Sequence, residues 1–155
     1  MTVAFIGSNN FQWTRRSIKR LSRIITKLIV RNGARIFLFT GDGFFDDMCW
    51  VFVTKLQARY PNIKRVYART KHGEDGDYLK KIMICYEQTF LLDAVRDAGV
   101  LAQLVRNEAM VGMCDVLVTY CETDNVQMPR IKDEAELAVE YAQKSQKRVI
   151  NIFER

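Results

Sequence analysis

Apolar residues fall along this chain in two kinds of run. Short, nearly continuous blocks at Val3–Gly7, Ile36–Thr40, Arg65–Arg69, Val116–Tyr120 and Arg148–Phe153 read as strands, because a strand covered on both faces needs no polar alternation. Between the first two, Ile18, Leu21, Ile25 and Leu28 recur at helical spacing, and Arg16, Arg20, Arg23, Lys27 and Arg31 form the opposite stripe. That spacing predicts an amphipathic helix over Arg15–Arg31, capped by Thr14 and stopped by Asn32-Gly33. A second helix is expected from about Asp47 to Arg59, with Asp46 as its cap and Tyr60-Pro61-Asn62 as its end. The polar stretch Thr70–Asp77 reads as a loop, and Tyr86–Leu92 as a short strand. A charged pair, Arg106 and Glu108, is expected to open a helix whose Met110, Val111 and Cys114 fall at helical spacing, so that Arg106 points from the helix start into the cleft above the sheet. After Val116–Tyr120 come a polar loop Glu122–Lys132 holding Pro129 and a helix Asp133–Lys144.

Strands that alternate with helical segments predict an α/β protein, a Rossmann-like three-layer sandwich with a mostly parallel sheet of about five strands. No linker, repeat or low-complexity tract divides residues 1–155, which are read as a single domain. In such a sheet ligands bind beyond the carboxyl ends of the strands. That rule selects Ser8, Asn9 and Asn10 after the first strand, Gly41, Asp42 and Gly43 after the second, Arg69 after the third, and the loop after Tyr120. The first turn carries one glycine rather than G-x-G-x-x-G, so a dinucleotide fingerprint is not supported.

Composition narrows the chemistry. At 155 residues and 48% hydrophobic content the chain has enough apolar side chain for one substantial core. It has no run of about 18 apolar residues to span a bilayer, and Met1–Gly7 lacks the basic region and cleavage site of a signal peptide. A cytoplasmic protein without a membrane partner is expected. Cys49, Cys85, Cys114 and Cys121 sit in apolar runs without a C-x-x-C pair, which suits buried thiols better than disulfides or zinc. His72 is the sole histidine, so a His-rich metal site is excluded, and it gives Cys121 no partner close in sequence for nucleophilic chemistry. Asp42, Asp46 and Asp47 are better explained by helix capping than by a magnesium site; no metal and no cofactor are expected. Trp13 and Trp50 read as core or interface residues rather than base-stacking platforms.

The net charge of +6 is unevenly spread. Residues 1–41 hold eight basic side chains and no acid, and the rest of the chain has 16 basic against 18 acidic residues. The basic stripe of the first helix suits phosphates in principle, but a solvated helix face explains it as well, and no aromatic or Gly-rich reading element is interleaved with it. Nucleic acid is therefore not the expected partner.

A further set of pieces runs in order along nearly the whole chain: Phe5-Ile6-Gly7, Thr40-Gly41-Asp42-Gly43-Phe44-Phe45-Asp46, Tyr60-Pro61-Asn62-Ile63-Lys64, Tyr67-Ala68-Arg69, Arg106-Asn107-Glu108-Ala109-Met110-Val111 with Asp115, and Ala138–Ile152. In these the chain resembles the SLOG superfamily, the Rossmann-like group that includes the Lonely Guy phosphoribohydrolases and DNA-processing protein A, and most of all its bacterial single-domain branch. The resemblance implies a nucleotide or nucleotide-derived small molecule as ligand. It implies Arg106 as the clamp on the ligand's anionic group, with Asn107 beside it, and a homodimer, for which Trp50 and Phe52 on a helix apolar on more than one side also speak.

The Lonely Guy enzymes pair an arginine at the position of Arg106 with a glutamate after a Gly-Gly-x-Gly-Thr loop to cleave a base from ribose 5′-phosphate. Here Asp133-Glu134-Ala135 stands where that loop receives phosphate, and the glutamate's place falls near Leu137–Ala138. A phosphate about 4 Å from an unscreened carboxylate is repelled by about 4 kcal/mol per charge pair at an effective dielectric of 20. Binding of a nucleotide-like molecule is thus expected over hydrolysis. The alternatives are an N-glycosidic hydrolase using a displaced Glu136 or Glu140, and a nucleic-acid-binding module using the basic helix.

Overall fold

The computed structural model describes residues 1–70, 76–122 and 131–153. His72, most of the loop expected over Thr70–Asp77, and Pro129 with most of Glu122–Lys132 lie outside them.

The chain folds into a six-stranded, all-parallel sheet with helices on both faces. Its strands are β1 (Thr2–Gly7), β2 (Ile36–Phe39), β3 (Lys64–Ala68), β4 (Gln88–Phe90), β5 (Val116–Tyr120) and β6 (Arg148–Asn151), in the order β4-β3-β2-β1-β5-β6. The helices are α1 (Arg15–Val30), α2 (Gly43–Gln57), α3 (Gly76–Cys85), α4 (Asp93–Arg96), α5 (Ala102–Met113) and α6 (Glu134–Lys144). After β4 the chain crosses back to the far side of β1. The topological switch point therefore lies between β1 and β5, where the carboxyl ends of neighbouring strands part and a crevice opens.

Two cores follow from the period-2 alternation of side chains along the strands. Val3 and Phe5 of β1 join Phe37, Phe39, Val116 and Val118 beneath Leu21, Ile25, Leu28 and Ile29 of α1 and Phe45, Cys49 and Val53 of α2. Ala4 and Ile6 face the other way and meet Leu38, Val66 and Leu117 with Met110 and Val111 of α5 and Ala135, Ala138 and Val139 of α6. On α1, Leu21, Ile25 and Leu28 are buried and Ile18 half-buried, while Arg16, Arg23, Lys27 and Arg31 are exposed and Arg20 is half-buried. Asp115 does its work at the amino-terminal edge, where its carboxylate accepts from the Thr2 N–H at 2.7 Å and its own N–H donates to the Thr2 carbonyl. Cys49, Cys114 and Cys121 are buried free thiols and Cys85 is half-buried. Among the described residues no helix is long and apolar enough to cross a membrane.

Several expectations need correction. The sheet has six strands rather than about five, since β4 forms a short edge beside β3. Helix α2 begins at Gly43, four residues before the expected start, and Asp46 lies inside it rather than capping it. Residues from Gly76 onward form α3, where the pattern had suggested the end of a loop and then no element. Helix α5 begins at Ala102, so Arg106 stands on its second turn and not at its start. Trp50 is spent inside the chain: its Nε1 donates to the Cys85 carbonyl at 3.0 Å, and the Arg65 guanidinium lies over its ring. Phe52 packs against the first core.

Candidate functional site

Three loops meet at the carboxyl ends of the strands. The second of them, Thr40-Gly41-Asp42-Gly43, is held from two sides. From within α2, the Asp46 carboxylate turns back and accepts from the Thr40 N–H at 2.9 Å, the Thr40 hydroxyl at 3.1 Å and the Gly41 N–H at 3.1 Å. Burial pushes the Asp46 carboxyl up to about 7, against the pull of those donors. Gly41 sits at φ +72°, and a Cβ there would lie 2.5 Å from the Tyr67 ring, so only glycine fits without strain.

From the opposite core, Arg106 reaches under the same loop. Its Nη1 donates to the Thr40 carbonyl at 3.2 Å and pairs with the Asp42 carboxylate at 2.9 Å, while Nε donates to the Asn107 side-chain oxygen. The side chain is 2% exposed, and only Nη2 is left without a partner. Arg106 and Asn107 therefore fasten the β2 loop to α5. A guanidinium suits that work, since its rigid fork serves a carbonyl and a carboxylate together. Asp46 is engaged through both oxygens, and Asp42 through one while its side chain stays half exposed. Among the described residues no three acidic, histidine or cysteine side chains form a metal-holding group.

The first loop follows β1. The Ser8 N–H donates to the Tyr120 carbonyl across the switch point. Ser8 is buried, whereas Asn9 and Asn10 are exposed. Gly7 is forced by packing: a Cβ there would meet the Phe45 ring at 2.4 Å. Two clefts open on either side of this loop.

The larger, about 350 Å³, lies between the start of α1 and the ends of β5 and β6; Asn10, Gln12, Arg16, Arg20, Tyr120 and Phe153 are among its walls, together with Glu122. The Tyr120 and Phe153 rings pack edge to face at 5.3 Å, and Phe11 lies against Tyr120 at 4.8 Å. Arg20 is steered into place by the Asn151 carbonyl, which accepts from its Nη2 at 3.1 Å. The Asn151 side chain ties β6 to the end of β5 through both the N–H and the carbonyl of Cys121. Thr14 and Ser17 form a capping box at the start of α1, but the first turn has no acid and carries Arg15 and Arg16. A helix amino terminus is the positive end of the macrodipole, and Arg15 and Arg16 add positive charge to it, with Glu122 as an acid on the cleft's opposite wall.

The smaller cleft, about 260 Å³, lies between Gly7, Ser8 and Asn9 and the start of α6, with Lys132, Asp133, Glu134 and Leu137 as its other walls. Here the helix caps itself. The Asp133 carboxylate accepts from the Glu136 N–H at 2.8 Å, and the Glu136 carboxylate accepts from the Asp133 N–H at 2.8 Å. Glu140 pairs with Lys132, which holds its carboxyl below the ordinary range. Glu136 and Glu140 are thus both engaged, and neither is among the walls of this cleft.

The candidates read from sequence divide accordingly. Ser8 and Asn9 line the smaller cleft and Asn10 the larger. Gly41, Asp42, Arg106 and Asn107 belong to one hydrogen-bonded brace, with Gly43 beside it as the first residue of α2. Arg69, one residue beyond β3, binds through its N–H to the Phe90 carbonyl and is among the walls of neither cleft. Sequence reasoning missed Arg16, Arg20, Phe153 and Asn151. The signal for the first two was in the basic stripe itself, whose amino-terminal end is adjacent to the mouth. Trp13 is also not a core residue: it is 54% exposed and packs edge to face on exposed Phe44.

No family model matches the chain, and no curated protein matches it.

Proposed function

We propose that this protein, a SLOG-like domain, binds a nucleotide-like small molecule at the carboxyl ends of β1, β5 and β6, with its anionic group on Arg16 and Arg20 at the start of α1. The observation that carries this reading is the larger cleft, which joins a positive helix end, two guanidinium groups and the rings of Tyr120 and Phe153 beside the switch point. Arginine pairs bidentately with phosphate oxygens, helix amino termini favour phosphates, and aromatic walls suit a flat apolar ligand body. The acidic, self-capped start of α6 speaks against a second phosphate seat there, and the engagement of Glu136 and Glu140 speaks against base cleavage.

Calorimetric titration with nucleoside 5′-monophosphates and with inorganic phosphate tests the reading. Wild-type protein is expected to bind the monophosphates, and Arg16→Ala, at an exposed position, is expected to weaken binding at least tenfold. Equal affinities in wild type, Arg16→Ala and Arg20→Ala would overturn it. Tight, sequence-selective binding of DNA at physiological salt would promote the basic outer face of α1 in its place.

A further inference from the structure

The smaller cleft has a chemistry of its own. Ser8 is 5% exposed, its N–H is spent on the Tyr120 carbonyl, and its Oγ is buried with no partner. An unpartnered buried hydroxyl is costly, and this residue forms part of the cavity wall. Opposite it stands Glu134, whose carboxylate accepts from the Asn107 amide at 3.4 Å. That contact orients the carboxylate and leaves acceptor sites open. The cavity's charged walls are Asp133, Glu134 and Lys132, and Lys132 already pairs with Glu140. An incoming anion is therefore repelled. Leu137 adds an apolar wall. At about 260 Å³ the space lies just under the 300–1,000 Å³ of whole-ligand pockets and suits a fragment of a ligand.

We infer that this cavity is a subsite for a neutral vicinal diol, the ribose-like part of the ligand. Glu134 accepts from the two adjacent hydroxyls, Ser8 Oγ exchanges a hydrogen bond with one of them, and Leu137 faces the ring carbons. Ser8 and Asn9 border this cavity while Asn10 borders the cleft that takes the anion, so one short loop separates sugar from phosphate. The inference rests on the anion reading above for the identity of the whole ligand, but its own residues are different.

The test compares ribonucleoside 5′-monophosphates, their 2′,3′-dideoxy counterparts, unphosphorylated ribonucleosides and inorganic phosphate on wild type, Ser8→Ala, Glu134→Gln and Arg16→Ala. Wild type is expected to bind the ribo forms about tenfold more tightly than the dideoxy forms. Ser8→Ala, which removes a group with no partner and so spares the fold, is expected to abolish that preference while leaving dideoxy binding unchanged; Glu134→Gln is expected to reduce it. Arg16→Ala is expected to weaken every phosphate-bearing probe and keep the preference. Equal binding of ribo and dideoxy forms with Arg16 still required would overturn the diol subsite and leave the anion reading standing. A Ser8-dependent diol preference with no effect of Arg16 or phosphate would do the reverse. Failure of every probe to bind at millimolar concentration would overturn both.

Discussion

Asp46 offers a sharp test of how the β2 loop is built. Its carboxylate is buried beneath the loop and titrates at about 7, against 3.8 for an unburied aspartate. Because the folded value is the higher, the folded chain holds the proton more firmly than the unfolded chain. The associated stability is therefore complete below pH 3.8, is lost as pH rises toward 7, and changes no further above it. Three pH units of difference correspond to about 4 kcal/mol, a large share of the 5–15 kcal/mol typical of a domain. Urea unfolding at half-unit intervals from pH 4.5 to 8 is expected to show the wild type losing stability at up to about 1.4 kcal/mol per pH unit, then levelling. Asp46→Asn keeps one oxygen to accept from Thr40 but presents an N–H₂ toward the Gly41 N–H. It is expected to be less stable than wild type at pH 4.5, with the slope between pH 4.5 and 7 removed. An identical slope in both proteins would refute the assignment of that titration to Asp46.

Glu87 carries the opposite dependence. Partial burial works to raise its carboxyl, but the Arg65 guanidinium and N–H, donating at 2.5–3.2 Å, hold it down at about 2. The stability it brings is present above pH 4.5 and lost as pH falls toward 2, so Glu87→Gln should cost about 1–2 kcal/mol at pH 7, after allowance for solvent screening, and nothing near pH 2, measured by urea unfolding at both pH values. Gly41→Ala, which meets both a left-handed φ and the Tyr67 ring, should lower stability by about 3 kcal/mol in thermal unfolding; Gly33→Ala, also at positive φ but in open space, should cost about 1 kcal/mol. Incubation with a panel of nucleoside 5′-monophosphates should release no free base, and release that disappears in Arg106→Ala would restore the hydrolase reading.

Much of the architecture was legible because its elements announce themselves locally. The apolar blocks of β1, β2 and β5 are buried on both faces and could not read otherwise, and Thr14 and Asp133 cap their helices through short-range bonds to Ser17 and Glu136. Helix α3 escaped because its apolar positions Leu79, Ile82 and Met83 are few and run on into the consecutive Ile84 and Cys85, which blurs the helical stripe. The start of α2 escaped because Gly-Asp-Gly-Phe-Phe-Asp has the composition of a turn. Only the three-dimensional return of Asp46 onto Thr40 and Gly41 shows why two aspartates stand there. Arg106 stands out in the sequence, but its tie to the β2 loop does not, since its partners Thr40 and Asp42 lie more than sixty positions away. The arginines of α1 were read as one stripe; the sheet order, invisible in one dimension, sets Arg16 and Arg20 apart by placing β6 and Phe153 beside them.

The central claim is that an anion seats at the start of α1 and not at the start of α6. Amide chemical shifts of isotopically labelled protein, followed as a nucleoside 5′-monophosphate is added, test it residue by residue. Saturable shifts are expected at Arg16, Ser17 and Arg20 and at Tyr120 and Phe153, with inorganic phosphate moving only the three α1 amides. Shifts from inorganic phosphate centred on Glu134–Leu137, with the α1 amides unmoved, would contradict it.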